Sequence, residues 1–299
     1  MINSRYLLAC WFLISQSALA HSPTIERIKQ TGIIQLGYSE TTVPFSYIDP
    51  NTQQHYGFSH DLYDKIVERF RQDFQLPELQ VKYVLFTAKN RWELHKNHEV
   101  DLSCIAATNT TERQQKYADF SYGYFVSGAR MLVPKALGVH HYKDLEGRVV
   151  GVMKNSASRQ FIFNKKDTYH FKELSIENNM SEAYERLKNG EIDALVYDDV
   201  SLASQLYRDR EHGDQYEIIG KPMTAENYGC TMQLHDQEFK LWVNQTLHNL
   251  IQQKEIHAMY DKWFVQPIPP QNQSFNFPMS DATKRLLAVP SDKAVGQLD

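Results

Sequence analysis

One stretch of this sequence occurs twice in recognisable form. Trp92–Leu102 reads WELHKNHEVDL, and Tyr184–Leu195, about 90 residues later, reads YERLKNGEIDAL. Each segment predicts a short helix ending in Lys-Asn, a turn containing Glu and Asp, and an apolar strand. Such units are common in α/β proteins, so coincidence is one explanation. Two lobes of similar architecture explain the similarity better.

Predicted strands and helices alternate along the rest of the chain. Short apolar runs predict strands, and apolar residues at helical spacing predict amphipathic helices, the first long one capped by Ser59. Strands alternating with helices indicate an α/β fold with largely parallel sheets. The segments are strands at 32–38, 79–86 and 101–107, and helices at 61–74, 90–97, 238–253, 256–263 and 280–287.

The first twenty residues have the pattern of a cleaved export signal. Arg5 supplies a positive charge, Tyr6–Ile14 an apolar core, and Ala18–Ala20 a small-residue cleavage site. The core is shorter than the roughly 20 residues that span a bilayer, so we expect cleavage rather than anchoring. Most of the core follows Cys10, which argues against a lipidated cysteine at that position. We therefore predict a periplasmic location.

Composition excludes several classes of function. The 299 residues carry a formal net charge of −4 and contain no basic block, which argues against nucleic-acid partners and a polybasic membrane tether. A mature chain of about 280 residues indicates two lobes rather than one core. We expect no metal and no cofactor, because the twelve histidines lack metal-ligand spacing and no glycine-rich phosphate loop is present.

Two cysteines, Cys104 and Cys230, remain after removal of the signal. A pair of cysteines in an exported protein favours one disulfide. Two buried, unpaired thiols are the alternative, and the cysteine count leaves both open.

Polar residues follow the strand of each repeated unit. The first strand leads into Thr108–Thr111 and Arg113, and the second into Asp198 and Asp199. In open α/β sheets, ligands bind beyond the carboxyl ends of the strands. One lobe thus offers a cation beside hydroxyls, and the other offers carboxylates. An α-amino acid needs both, one for its carboxylate and one for its ammonium.

Eight motifs, in order along the mature chain, resemble those of periplasmic solute-binding proteins that deliver polar amino acids to ATP-driven importers. The similarity extends from about Thr24 to the C-terminus and points to the glutamate/aspartate-binding branch. Each motif alone is weak, but their order over the whole mature chain is specific. They are VPFSY at Val43, KNRWEL at Lys89, TNTTERQQ at Thr108, DLEGRVVGV at Asp144, YDD at Tyr197, YGCTM at Tyr228, YDKWF at Tyr260 and PIPPQN at Pro267.

The resemblance implies a two-lobed α/β fold of the type II periplasmic binding proteins, with two hinge crossings between the lobes. The implied division is a signal peptide at 1–20, a first lobe at 21–127, a second lobe at 128–222, and a return to the first lobe plus a C-terminal tail at 223–299. Such a protein is a monomer that captures an amino acid and passes it to the permease of an ABC importer. It is not an enzyme.

The resemblance also assigns roles to single residues. Arg113 would clamp the ligand α-carboxylate with help from Thr108, and Asp198 would hold the ammonium. The alternatives are a surface arginine paired with a neighbouring acid and a solvated acid at a strand end. Cys104 and Cys230 fall where this branch has a disulfide.

The side-chain pocket departs from that branch at several positions. Ser39 stands where a basic residue is expected, Ala106 where a serine is expected, and Met180 where a histidine is expected. Arg91 is retained, as a ligand partner or as a structural residue, and Ser156 keeps a hydroxyl on the second lobe. Each lost charge-assisted bond costs about 1.5–3 kcal/mol, so glutamate and aspartate are doubtful ligands. A larger, less charged side chain is expected.

One aromatic side chain is predicted to cover the ligand. Tyr47 lies in the VPFSY motif and is a candidate for this position. Core packing explains its neighbour Phe45 at least as well.

Two other functions fit the same scaffold. A periplasmic dehydratase of cyclohexadienyl acids would need a general acid, for which Glu177 and Glu182 are the candidates. A subunit that presents its ligand to a chemoreceptor or sensor kinase would use the same closed lobes as its docking surface.

Overall fold

The computed structural model describes residues 22–154 and 156–294, so the predicted signal peptide lies outside the described residues. Within these ranges, no helix is both long enough and apolar enough to cross a membrane. The helices are α1 (Pro23–Thr31), α2 (Phe58–Phe74), α3 (Arg91–Lys96), α4 (Thr111–Lys116), α5 (Ala157–Tyr169), α6 (Met180–Lys188), α7 (Asp199–Arg208), α8 (Gln237–Gln252), α9 (Glu255–Tyr260) and α10 (Asp281–Ala288), with a π-helical turn at Asp261–Val265.

The strands are short, and most of them belong to two sheets. They are β1 (Ile33–Tyr38), β2 (Thr41–Thr42), β3 (Ser46–Ile48), β4 (His55–Tyr56), β5 (Gln80–Leu85), β6 (Leu102–Ser103), β7 (Asp119–Ser127), β8 (Ala129–Pro134), β9 (Val149–Met153), β10 (Glu173–Glu177), β11 (Ala194–Asp198), β12 (Tyr216–Ile219), β13 (Glu226–Met232), β14 (Pro267–Ile268) and β15 (Gln273–Ser274).

Two five-stranded sheets form the frameworks of two lobes. The first has the order β5-β1-β6-β13-β7, and the second has the order β10-β9-β11-β8-β12. In each sheet four strands run in the same direction, and one strand, β13 in the first sheet and β8 in the second, is antiparallel to both of its neighbours. The strands of the second sheet come from one continuous segment, 129–219, whereas β13 returns to the first sheet at 226–232. The predicted two-lobed α/β fold is confirmed.

The repeated sequence occupies corresponding positions in the two lobes. Helix α3 precedes β6 in the first sheet, and helix α6 precedes β11 in the second. The aspartate of each unit makes the same contact with the neighbouring strand. The Asp101 carboxylate accepts a hydrogen bond from the Gln35 N–H at 2.7 Å, and the Asp193 carboxylate accepts one from the Val149 N–H at 2.8 Å. The repeat therefore ties each helix–turn–strand unit to the sheet beside it.

Helix α2 begins three residues earlier than its apolar spacing predicts. Its N-cap is Gly57, at φ +127°, where an added Cβ would lie 2.2 Å from the Phe45 carbonyl oxygen. Ser59 is therefore inside the helix, and its hydroxyl donates to the Cys104 carbonyl at 2.7 Å. The predicted Ser59 cap is wrong, because glycine at this position lets the backbone turn early.

Strand β6 is much shorter than the predicted strand at 101–107. Immediately after β6, the backbone N–H and carbonyl of Cys104 form hydrogen bonds with side chains instead of with a neighbouring strand. The Cys104 N–H donates to the Tyr63 hydroxyl at 2.8 Å, and the Cys104 carbonyl accepts from the hydroxyls of Ser59 and Tyr124. These bonds end the ladder, and the chain turns away at Ala106, which has a φ of +24°.

The disulfide implied by the family resemblance is present. Cys104 and Cys230 are bonded across 126 residues of sequence and are both fully buried. The bond joins the end of β6 to the neighbouring strand β13. It therefore fastens the returning segment to the first half of the first sheet.

The chain crosses between the sheets twice, and the two crossings lie side by side. The Ala129 N–H donates to the Thr224 hydroxyl at 2.9 Å, and the Met223 N–H donates to the Ala129 carbonyl at 2.9 Å. Ser127 donates to the Asp199 carboxylate at 2.7 Å. These contacts place the carboxyl ends of β7 and β11 next to each other.

Candidate ligand-binding site

A cavity of about 150 Å³ lies between the two lobes. The first lobe contributes residues that follow β1 and β6, and the second contributes the start of α6, the end of β11 and one side of α7 along its length. Most of the wall is apolar or bears hydroxyl groups. The lining residues are Thr41, Thr42, Val43, Phe45, Ala106, Met180, Tyr197, Val200, Ser201, Ser204 and Arg208.

A polar cluster adjoins this cavity through Tyr197 and Ala106. Arg113 lies in α4, and its Nη1 donates to the Thr108 carbonyl at 2.7 Å. Asp198 ends β11, is buried, and accepts a hydrogen bond from the Tyr228 hydroxyl of the first lobe. The structure therefore brings together the predicted cation and the predicted carboxylate, with Tyr228 bridging the lobes.

Glu226 is the member of this cluster that the sequence analysis missed. Its carboxylate is fully buried and accepts hydrogen bonds from the hydroxyls of Thr108 and Thr224, both at 2.9 Å. Burial, reinforced by the negative charge of Asp198, raises the pKa of Glu226 to about 8. The Thr108 hydroxyl is thus occupied by a protein acid. An ionisable residue inside the β13 pattern ENYGCTM was the available signal.

Asp198 is the second acid of the cluster whose pKa is shifted from its ordinary value. Burial raises the pKa of Asp198 to about 6, with a further increase from Asp199, while the Tyr228 hydrogen bond and the Arg113 charge act in the opposite direction. A buried carboxylate beside a cation and a hydroxyl donor is suited to hold an ammonium group.

Arg91 is positioned by an aromatic ring rather than by an acid. Its guanidinium carbon lies 4.7 Å from the centre of the Trp92 ring, and that of Arg113 lies 5.6 Å from the same ring. The Arg91 Nε is buried and has no hydrogen-bond partner among the described residues. Burial and the nearby Arg113 charge lower the pKa of Arg91 to about 10. Two like charges therefore lie close to one aromatic ring.

Three predicted ligand residues make other contacts. The Tyr47 hydroxyl donates to the Pro269 carbonyl at 2.6 Å, and Tyr47 does not line the cavity, whereas Phe45 does. Ser156 caps α5, and its hydroxyl donates to the Met153 carbonyl at 2.8 Å. Ser39 lies one step back from the wall, because its hydroxyl pairs with that of Thr42 at 2.7 Å.

The chain is similar to a known family of proteins over most of its length. Residues 34–266 match the model of the bacterial extracellular solute-binding proteins, family 3. The chain belongs to this family. The resemblance drawn from the eight motifs is thereby confirmed.

Similar family 3 proteins cover almost the whole chain. The L-glutamate/L-aspartate-binding protein of Pseudomonas aeruginosa is 35% identical over 92% of this chain and 91% of its own length. The glutamate/aspartate import solute-binding protein of Escherichia coli is 34% identical over 93% of this chain and 92% of its own length.

Solved structures show the same type II fold. The solute receptor for L-cysteine of Neisseria gonorrhoeae has a TM-score of 0.66 and is 25% identical, covering 80% of this chain and 93% of that one. An ancestral arginine-binding protein bound to arginine has a TM-score of 0.65 and is 25% identical, covering 78% of this chain and 98% of that one.

The acids considered for a dehydratase lie apart from the cavity of this family 3 protein. Glu177 is buried in an ion pair with Arg186 at 2.7 Å, and Glu182 is exposed near the start of α6. Neither residue lines the cavity. Among the described residues, no group of three or more His, Cys, Asp or Glu side chains is placed to hold a metal ion.

Proposed function

We propose that this family 3 protein is a periplasmic receptor that captures a polar amino acid between its lobes and delivers it to the permease of an ABC importer. The observation that carries the proposal is the placement of Arg113 and Asp198 in one polar cluster beside the cavity between the lobes. The glutamate/aspartate-binding and import proteins that cover this chain support it.

The cluster has the chemistry that a zwitterion requires. Arg113 uses one N–H group on the Thr108 carbonyl. A guanidinium has five N–H donors, so others remain for a ligand carboxylate. Asp198 would exchange the Tyr228 hydroxyl for, or share it with, the ligand ammonium. Burial of Asp198 strengthens its interaction with the ammonium, because little water competes for its charge.

Closure of the lobes would complete the site. We place the first lobe at residues 21–127 with its return at 223–299, and the second lobe at 128–222. Arg113 and Asp198 come from different lobes, so a ligand that bridges them stabilises the closed arrangement. The closed lobes would then form the surface that the permease recognises.

Calorimetric titration of the mature protein tests this proposal. The protein is unfolded and refolded to remove copurified ligand, then titrated with the twenty common amino acids. We expect at least one Kd in the micromolar range or below, and a loss of about 100-fold or more in Arg113→Ala and in Asp198→Asn.

Arg285→Ala serves as the matched control, since Arg285 is exposed on α10. Equal affinity in the control and in Arg113→Ala would contradict the assigned site. Absence of binding to every amino acid would contradict the proposed ligand class.

A further inference from the structure

The buried acid Glu226 is joined to the proposed carboxylate-binding residue Arg113 through a single residue, Thr108. The Glu226 carboxylate accepts a hydrogen bond from the Thr108 hydroxyl at 2.9 Å, and Arg113 donates to the Thr108 carbonyl at 2.7 Å. Thr108 also pairs with Tyr228 in an isolated antiparallel bridge, and the Tyr228 hydroxyl donates to Asp198. Glu226 therefore lies one contact behind the residues proposed to hold the amino acid, although it does not line the cavity itself.

The ionised form of Glu226 conflicts with the ligand contact proposed for Thr108. A threonine hydroxyl has one hydrogen to donate, and an ionised carboxylate can only accept. An ionised Glu226 therefore takes the Thr108 hydrogen, as the contact at 2.9 Å allows. The carboxylate of an amino acid also only accepts. Because one hydrogen cannot serve both acceptors, an ionised Glu226 competes with the ligand for Thr108.

The neutral form of Glu226 removes this competition. The Thr224 hydroxyl accepts a hydrogen bond from the Ala129 N–H at 2.9 Å and donates its own hydrogen to Oε1 of Glu226 at 2.9 Å. Since Oε1 accepts there, the proton of a neutral carboxyl belongs on Oε2, the oxygen that faces Thr108. From Oε2 the proton is donated to the Thr108 hydroxyl oxygen, and the hydrogen of that hydroxyl is free for the ligand.

We propose that Glu226 is a positioning residue that controls amino-acid binding through Thr108 and makes the affinity depend on one proton. The neutral acid turns the Thr108 hydroxyl into a donor for the ligand α-carboxylate, beside Arg113. Loss of the proton turns the same hydroxyl back towards Glu226. This inference rests on the proposed function, because it concerns the regulation of the same site.

The surroundings of Glu226 place the loss of this proton just above neutral pH. The side chain is fully buried, and burial together with the charge of Asp198 raises the pKa of Glu226 to about 8, against the opposite effect of Arg113. A ligand carboxylate beside Thr108 adds a negative charge and raises the pKa of Glu226 further. Binding therefore favours proton uptake, and by reciprocity a bound proton favours binding.

The other charged and titratable side chains around Glu226 keep their charge between pH 7 and pH 9. They are Tyr197 and Asp198 of β11, Tyr228 of β13, Arg113 of α4 and, one contact further out, Arg91 of α3. Burial raises the pKa of both tyrosines above this range. Asp198, whose pKa is about 6, is ionised, and the guanidinium groups remain mostly cationic. A change of affinity over this range therefore reports on Glu226.

Titration of the refolded mature protein with the twenty common amino acids at pH 7 selects the one that binds most tightly, which is then titrated at pH 7, 8 and 9. We expect the wild-type Kd to rise about three- to tenfold from pH 7 to pH 9 relative to that of Glu226→Gln. Glutamine keeps an N–H donor for Thr108 and does not ionise. Deprotonation of the amino acid itself affects both proteins and cancels in this ratio. Glu112→Gln, which removes an exposed acid near Arg113, should follow the wild type.

Two further measurements separate the relay through Thr108 from a direct effect of charge. Thr108→Val should bind more weakly at every pH and lose the rise of Kd with pH, whereas Thr108→Ser, which keeps the hydroxyl, should retain it. Calorimetry in two buffers of different ionisation enthalpy counts the protons taken up on binding. We expect roughly half a proton or more per amino acid at pH 8.5 in the wild type, and much less in Glu226→Gln.

The outcomes distinguish this inference from the proposed function. Parallel Kd profiles for the wild type and Glu226→Gln would overturn the inference and leave amino-acid capture intact. A rise that persists in Thr108→Val would also overturn it, because Glu226 would then act by its charge alone. A wild type that binds none of the twenty amino acids would contradict the proposed function and the inference together. Circular dichroism checks that each variant is folded, and the proton count of the wild type decides the question if a variant is not.

Discussion

At the scale of single residues, Trp92 explains how two guanidinium groups tolerate each other beside the cavity. Its ring lies within 5.6 Å of the guanidinium carbons of both Arg91 and Arg113, and the ring of Tyr117 stacks on it with a centroid distance of 5.4 Å. The negative face of an aromatic ring offsets part of the repulsion between two cations. Trp92 is thus a positioning residue for both arginines.

We expect Trp92→Leu to weaken ligand binding by roughly three- to tenfold, which corresponds to one or two cation–π contacts. Trp92→Phe should keep most of the affinity because it keeps a π face. Isothermal titration with the best ligand of the wild type measures both. Equal affinities in the leucine and phenylalanine variants would show that the ring acts through its volume alone.

The buried Glu226 makes the free energy of unfolding depend on pH, with lower stability at high pH. Its folded-state pKa of about 8 lies above its ordinary value of 4.5. Between these values the folded chain holds a proton that the unfolded chain has released. The contribution of Glu226 is therefore fully present below about pH 4.5 and is lost as the pH rises through 8. Asp198, with a raised pKa of about 6, adds a contribution of the same sign over a lower range.

We expect Glu226→Gln to be more stable than the wild type at pH 8 by on the order of 2 kcal/mol and similar to it at pH 5. Urea unfolding at both pH values measures the difference. Glu112→Gln, which removes an exposed acid, is the control. A constant difference between Glu226→Gln and wild type at the two pH values would contradict the assignment of a buried, protonated acid.

The position of a site residue was predictable where it directly follows a predicted strand. It was less predictable where contacts between distant segments of the chain determine it. Arg113 and Asp198 follow the strands of the repeated units, so the sequence places each of them beyond the carboxyl end of a strand, one in each lobe. Arg208 reaches the cavity from the far end of a helix that begins at Asp199, and no local pattern marks it. Tyr47 was assigned to the ligand from its motif, but the PIPP segment that takes up its hydroxyl lies more than 200 residues away.

At the scale of elements, periodicity placed most of the five helices that it predicted within one or two residues, and it failed where side chains redirect the backbone. Helix α8 and helix α10 lie at the predicted positions. The segment predicted as one helix at 256–263 forms α9 and then a π-helical turn. Over so few residues, the apolar spacing of an α-helix and that of a π-helical turn cannot be told apart in the sequence. Strand β6 ends early because three hydroxyl groups bind the backbone of Cys104, a contact that depends on the packed lobe.

The disulfide fastens β13, the strand that returns to the first sheet, to the end of β6. We expect Cys104→Ala/Cys230→Ala to lower the free energy of unfolding by about 2–4 kcal/mol, because the bond closes a long loop. Ligand affinity should change by less than about threefold, since neither cysteine lines the cavity. Urea unfolding and titration of the double variant give both values. A large loss of affinity with little loss of stability would assign the bond to the site instead.

At the scale of the whole molecule, the sequence repeat predicted two lobes, and the comparisons identified the family. The C-terminal segment adds a connection that the repeat does not predict. Arg210 of the second lobe donates to the Gln271 side chain at 2.9 Å, and the rings of Tyr207 and Phe275 lie 5.7 Å apart. This segment therefore touches the second lobe although its neighbours pack on the first.

The return of β13 to the first sheet has a consequence for biosynthesis. Strand β13 separates β6 from β7 in that sheet, so the first lobe cannot close its sheet until residue 232 has been made. The second sheet is complete once residue 219 has emerged, and its segment needs no later strand. In chain order the second sheet is thus complete first, while β6 and β7 of the first sheet each still have an edge without its partner strand.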